Sequence, residues 1–252
     1  MYQVWIWWGL LSIIQIFNFK HAVWEYMISR KYNKYISSKR ALLYTSVCAF
    51  RTFLPRQDVS KTCLFDTYLS SIFIGRSLAT IAEIAFIKQL YNFSNSVLNL
   101  KLSYNIVYAI YLAEVFSWLG TLTENQIFNT SEEITWTITI SYTLYKNLLT
   151  AMFSNKDYMS HRVLRFYYIS IIFQMFYIAG MLTYDIPNYI TNWENSNTTY
   201  TIKEGFYRSL ECQSISRDYQ DWKIHIGWMT PYFTIAVWYS ILMARYQSQT
   251  II

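Results

Sequence analysis

The chain has 252 residues, 54% hydrophobic and 20% aromatic but only 14% charged, whereas an average soluble domain carries about 25% charged residues. Its net charge is +6, yet the bases fall between apolar stretches and no recognition motif accompanies them, which argues against nucleic-acid binding. Cys48, Cys63 and Cys212 stand in no CxxC spacing, which argues against a zinc ribbon or a thioredoxin-like site.

The first apolar segment, Val4–Phe19, is short and Trp-rich. It lacks a basic n-region and an A-x-A-like cleavage site, so it reads as a retained span. Lys20–Arg40 follows, with Lys20, Arg30, Lys31, Lys34, Lys39 and Arg40 against one acid, Glu25. Trp24, Tyr26, Met27, Tyr32 and Tyr35 are interleaved with these bases. Two readings stand side by side: an ordinary positive-inside loop, or an interfacial helix. In the second, Arg30, Lys31, Lys34, Lys39 and Arg40 meet anionic lipid headgroups. Ala41–Leu54 is interrupted by Arg51 and closed by Pro55. A span needs about 20 residues, so this segment either crosses weakly, re-enters or lies on the surface.

Thr67–Leu90 is long and apolar enough to cross a bilayer, yet holds Arg76 and Glu83 in its interior. A charge at mid-membrane depth costs several kcal/mol unless something pairs it. Arg76, Thr80 and Glu83 fall on one helix face. At about 10 Å of axial separation Arg76 and Glu83 are not expected to pair tightly with each other, so each calls for a partner on another helix. Leu102–Thr123 carries Glu114 in mid-span, the natural partner for Arg76. Glu132 and Glu133 precede the fifth segment, Ile134–Phe153, where a helix N-terminus favours acids. Ile134–Thr143 alternates apolar and polar residues; an isolated strand cannot satisfy its backbone in lipid, so the expectation is a helix whose threonines bond back to i−4 carbonyls. The last two segments are Phe166–Tyr184 and Ile226–Ala244, and Pro231 is expected to kink the latter.

These segments predict an all-α polytopic transmembrane helix bundle forming a single domain, with seven spans, or six if Ala41–Leu54 is re-entrant or interfacial. The basic links Lys20–Arg40 and Asn155–Arg165 belong on the cytoplasmic or matrix-like side. That places the amino terminus outside, the carboxyl terminus inside, and the mixed-charge loop Asp185–Lys223 outside. Cys63 and Cys212 then share the outer side and can form a disulfide if that compartment oxidises.

Glu83, Glu114 and Glu133 raise the idea of a carboxylate cluster, but no Glu-x-x-His pair accompanies them, and neither metal nor cofactor is expected. There is no G-x-S-x-G, Walker or Rossmann pattern, and the last segment has no lysine for a retinal Schiff base. The leading expectation is a membrane protein that moves ions, protons or a small solute along a polar path containing Arg76, Thr80, Glu83, Glu114 and Glu133. The alternatives are a non-catalytic subunit of a larger membrane complex, or a lipid-modifying membrane enzyme. The expected partners are the bilayer, anionic lipids, and either further copies of the chain or other membrane subunits.

Overall fold

The computed structural model describes residues 2–32, 35–153, 159–195 and 199–249. Lys34, and Lys156 and Asp157 of the second basic link, lie outside the described residues. The chain is all-α, and among the described residues three two-residue strands stand beside its helices.

Helix α1 spans Tyr2–Lys31. At 1.5 Å per residue it is about 45 Å long, so the first expected segment runs well past Phe19. Beyond Gly9 it meets no glycine or proline, and Arg30 and Lys31 close its last turn, where cations suit the dipole. Helix α2 spans Ile36–Phe53 and stops before Pro55, whose ring disfavours helix in the preceding residue. Of the described residues of Lys20–Arg40, those up to Lys31 continue α1 and those from Ile36 open α2. Helix α3 spans Ile72–Ser96. It begins five residues later than expected because Thr67 instead opens a 3-10 turn over Tyr68–Ser70. The Ser71 hydroxyl then accepts from the Ile74 amide at 3.4 Å, an N-cap.

Helix α4, Asn105–Thr123, ends on Glu124 in the left-handed region, whose amide bonds the Gly120 carbonyl. Helix α5, Gln126–Phe153, starts directly afterwards because the Asn125 side chain accepts from the Ile127 amide at 3.1 Å. Glu132 and Glu133 therefore sit in the second turn, beyond the reach of the N-terminal dipole expected to hold them. The alternating Ile134–Thr143 stretch is helical throughout. Thr135, Thr139 and Thr143 each donate to the carbonyl four residues back at 2.7–3.0 Å.

Helix α6, His161–Gly180, continues through a π-helical turn, Met181–Asp185, into α7, Ile186–Asn195. The expected outer loop from Asp185 is thus helical at its start, and it also contains α8, Ile202–Ser209. Helix α9, Tyr219–Pro231, passes through a second π-helical turn, Tyr232–Ala236, into α10, Val237–Gln249. Pro231 cannot donate an i−4 bond, and a π-turn directly after it accommodates the break. Strand β1 (Arg56–Gln57) pairs antiparallel with β2 (Thr62–Cys63), which pairs parallel with β3 (Ser214–Ile215).

The chain divides into two compact units, residues 1–90 with 201–252 and residues 91–200. In the first, α1, α2, α3 and the 219–249 helix enclose a core that includes Val47, Ala82, Trp222, Phe233 and Ile241. Buried polar side chains link its helices. Gln89 donates to the Ser240 carbonyl at 2.8 Å and accepts from the Ser240 hydroxyl at 2.6 Å. Gln15 donates to the Phe233 carbonyl within the second π-turn. In the second unit, α4 packs on α5 where Gly120 meets Asn129. Asn147 donates to Gln174 at 3.1 Å and its carbonyl accepts from Tyr167, which joins α5 to α6.

Polar side chains are buried beside the hydrophobic core, and large apolar side chains are exposed. Asn18, Thr45, Gln89, Thr143 and Asn147 are buried, while Ile6, Ile13, Phe17, Ile138, Ile172 and Phe176 are exposed. Such exposed apolar faces mark a surface for lipid or for another protein. Among the described residues, two helical stretches are long and apolar enough to cross a membrane: Asn105–Thr123 at mean hydropathy 1.4 and His161–Asn195 at 1.5. The other segments expected to cross are helical over most of their length but fall below that standard.

Gly75 lets the two sides of the first unit approach. A Cβ there would lie 2.0 Å from Arg56 Nε, whereas nothing stands within 4 Å of a Cβ on Gly9. Because Arg56 is buried and pinned, we expect Gly75→Ala to destabilise by about 1–3 kcal/mol, the usual cost of overpacking. Gly9→Ala should be neutral or stabilise by up to about 1 kcal/mol. Thermal unfolding of both variants checks this, and equal midpoints would contradict the packing role of Gly75.

Candidate functional site

One group of charged residues in the first unit gathers around α2, α3 and the π-turn after Pro231. Arg76 and Glu83, two turns apart on α3, approach to 3.8 Å between Arg76 Nη2 and Glu83 Oε2. The expectation that they cannot meet is thereby corrected: both side chains are long, and together they bridge the axial gap as a loose ion pair. Thr80 lies between them on the same helix. The Tyr232 hydroxyl donates to Glu83 Oε1 at 3.5 Å. The Tyr232 ring packs edge-on against Tyr44 of α2, with ring centres 6.4 Å apart, and the buried Cys48 lies one turn further along α2.

A second pair completes the cluster. Arg51, near the end of α2, donates to Asp58 at 3.3 Å and lies 5.8 Å from the Phe233 ring centre. Tyr232, Glu83 and Arg76 lie within electrostatic reach of it. Arg56 enters from β1. Its Nη1 donates to the carbonyls of Leu69 at 3.2 Å and Ser71 at 2.8 Å, and its guanidinium stands 5.4 Å from the Phe50 ring centre. Burial lowers the Arg56 pKa to about 10; Asp58 opposes that shift and Arg51 adds to it. Arg56 is still a cation at neutral pH.

All three arginines are at least nine-tenths enclosed, at 7% exposure for Arg51, 2% for Arg56 and 7% for Arg76. Enclosure in protein is what distinguishes a packed ion network from groups lining an open aqueous path. An Arg guanidinium suits this setting because it stays charged and presents a rigid fork of donors.

The segment that brings Arg56 and Asp58 inward is strapped from above. Cys63 and Cys212 are disulfide-bonded. The Lys61 carbonyl accepts from the Gln213 amide at 2.9 Å, and the Cys63 carbonyl from the Ser216 amide at 3.0 Å.

The other residues singled out in the sequence fall elsewhere. Glu114 is 4% exposed in mid-α4, and Glu133 is half-buried on α5. Both belong to the 91–200 unit, whereas Glu83 belongs to the first. Among the described residues no group of three or more His, Cys, Asp and Glu is arranged to hold a metal. Arg30, Lys31 and Lys39 are exposed, and Arg40 donates to the Lys88 carbonyl at 3.3 Å. Sequence reasoning missed Arg56, Asp58, Tyr44 and Tyr232, and took Arg51 only as an interruption. The available signal was the density of charge around Pro55, in Arg51, Arg56 and Asp58.

No family model matches the chain, and no curated protein and no solved structure matches it significantly.

Two outcomes follow from this geometry. Removing one member of a buried ion pair strands the other, at a typical cost of about 3–5 kcal/mol. Glu83→Gln and Arg51→Met should therefore each lower the unfolding midpoint by several degrees, while Lys39→Gln at the exposed surface should not. An unchanged midpoint for both buried variants would remove the network from any role in stability. Cys63 and Cys212 should resist thiol alkylation until a reductant is added, read as two further adducts by mass spectrometry. Alkylation of both without reductant would contradict the disulfide.

Proposed function

We propose that the protein is a multi-pass integral membrane protein acting as a non-catalytic subunit of a larger membrane assembly. The observation that carries this reading is the pairing of a sealed, charged interior with an apolar exterior. Arg51, Arg56 and Arg76 are enclosed with Asp58 and Glu83, while α1 and the 161–195 helix turn large apolar side chains outward. Enclosed ion pairs hold helices in one arrangement, and outward apolar faces seek lipid or neighbouring subunits.

On this reading the helices α1, α2, α3, α4, α5, 161–195 and 219–249 cross the bilayer, with the amino terminus outside and the carboxyl terminus on the cytoplasmic or matrix-like side. Alkaline carbonate should leave the chain in the membrane pellet. On blue-native gels of gently solubilised membranes the untagged chain should migrate with unlike subunits, well above its own 30.2 kDa. A monodisperse 30 kDa species or a small homo-oligomer would overturn the subunit reading.

One observation favours a second reading, proton transport: the Tyr232 hydroxyl donates to Glu83 beside the buried Tyr44 and Cys48. Hydroxyls in line with a carboxylate can pass protons where water reaches both ends. Proteoliposome flux decides it. Glu83→Gln should abolish flux if the path is used, and equal flux in wild type and the variant would end this reading.

A further inference from the structure

The two ends of the first unit differ sharply in chemistry. One end holds the three strands, the disulfide, α8 and the start of α1, where Trp7 donates to Thr230 at 3.0 Å and Arg217 stands 5.9 Å from the Trp5 ring centre. The other end gathers the last turn of α1, the start of α2, the later part of α3 within this unit and the end of α10. Side-chain bonds join these four segments. Arg245 donates to Glu25 at 2.7 Å, linking α10 to α1. Arg40 bonds the Lys88 carbonyl, linking α2 to α3, and Gln89 bonds Ser240, linking α3 to α10.

This second end is almost purely cationic. It carries Arg30, Lys31, Lys39, Arg40, Lys88 and Arg245. The one acid among the described residues of these segments is Glu25, already occupied by Arg245. Arg30, Lys31 and Lys39 are exposed. Exposed around them are Trp24, Met27, Tyr32, Tyr35 and Ile36, at 40–64%. Bulky amphipathic aromatics beside bases, at the end of helices with apolar flanks, are the composition of a membrane–water boundary. The bases then stand at the depth of lipid phosphates, where each near-surface Lys or Arg adds attraction to an anionic leaflet.

We infer that the basic end of this unit, centred on Arg30, Lys31 and Lys39, seats on the phosphate headgroups of anionic lipids. The inference rests on the membrane reading above and adds to it which lipid class is bound and at which end. The bound group is the lipid phosphodiester. Its negative charge matches a surface whose one acid among the described residues, Glu25, is paired with Arg245, and its acyl chains continue along the exposed apolar sides of α1.

The test uses the full chain purified in a neutral detergent. Mixed micelles containing phosphatidylglycerol or phosphatidylcholine at equal mole fraction are titrated in, and retained lipid is counted by native mass spectrometry. We expect preferential retention of phosphatidylglycerol, weakened by added salt because exposed charges are screened. R30Q/K31Q/K39Q should reduce phosphatidylglycerol affinity on the order of a hundredfold, at about fivefold per base. K203Q/R217Q/K223Q, which removes exposed bases near the disulfide end, should retain the preference. Both triple variants alter exposed side chains, and their thermal unfolding in detergent alone should match wild type. Equal retention of the two lipids by wild type, or an undiminished preference in R30Q/K31Q/K39Q, overturns this inference and leaves the membrane reading standing. Release of the chain by alkaline carbonate as a lipid-free species overturns both.

Discussion

A guanidinium cannot be taken out of water unless acceptors and counter-charges meet it inside. Much of the first unit is organised by that constraint, because it encloses three of them. Arg56 is met by two backbone carbonyls in the turn that precedes α3 and by the face of Phe50. It occupies the space that a side chain on Gly75 would otherwise fill. Arg51 is met by Asp58 from the loop after Pro55, and Arg76 by Glu83 from its own helix. Each solution fixes a different element: the turn before α3, the loop after α2, and the face of α3 turned to Tyr232. The disulfide and the short strands hold that loop in the position the arginines require.

The same logic extends from charges to neutral polar groups. On the proposed membrane reading, burial of apolar area between helices contributes little to their association, and directional bonds and close packing must supply it. The Gln89–Ser240 exchange, the bond from Gln15 to the π-turn and the Asn147–Gln174 contact are bonds of that kind. So is the close approach of α4 and α5 at Gly120. The threonines of α5 satisfy their hydroxyls on the carbonyls of the same helix.

Helix was legible from composition and segment length wherever an apolar run exceeded about four turns, and the alternating stretch in α5 was read correctly because backbone satisfaction outranks side-chain period. Boundaries were less legible. Hydropathy marks where side chains are apolar, whereas a helix ends where its backbone is capped or blocked. Hence α1 runs on through the basic segment to Lys31, and α3 waits for Ser71 although the apolar run begins at Thr67. The site was half legible. Arg76 and Glu83 stood out because they interrupt a long apolar run. Arg56 and Asp58 lie in a polar stretch after Pro55, and nothing local marks them as buried. Tyr44 and Tyr232 are two among 24 tyrosines.

By itself, the sequence determined the helical class, the positions of the apolar segments and the excess of bases at one set of helix ends. These follow from composition and periodicity, which are local properties. Only the tertiary structure decided that Arg76 turns to Glu83 on its own helix, that Arg51 takes Asp58, and that Cys63 meets Cys212 across 149 positions. Those choices depend on which groups share one enclosed volume, and enclosure is set by the packing of whole helices.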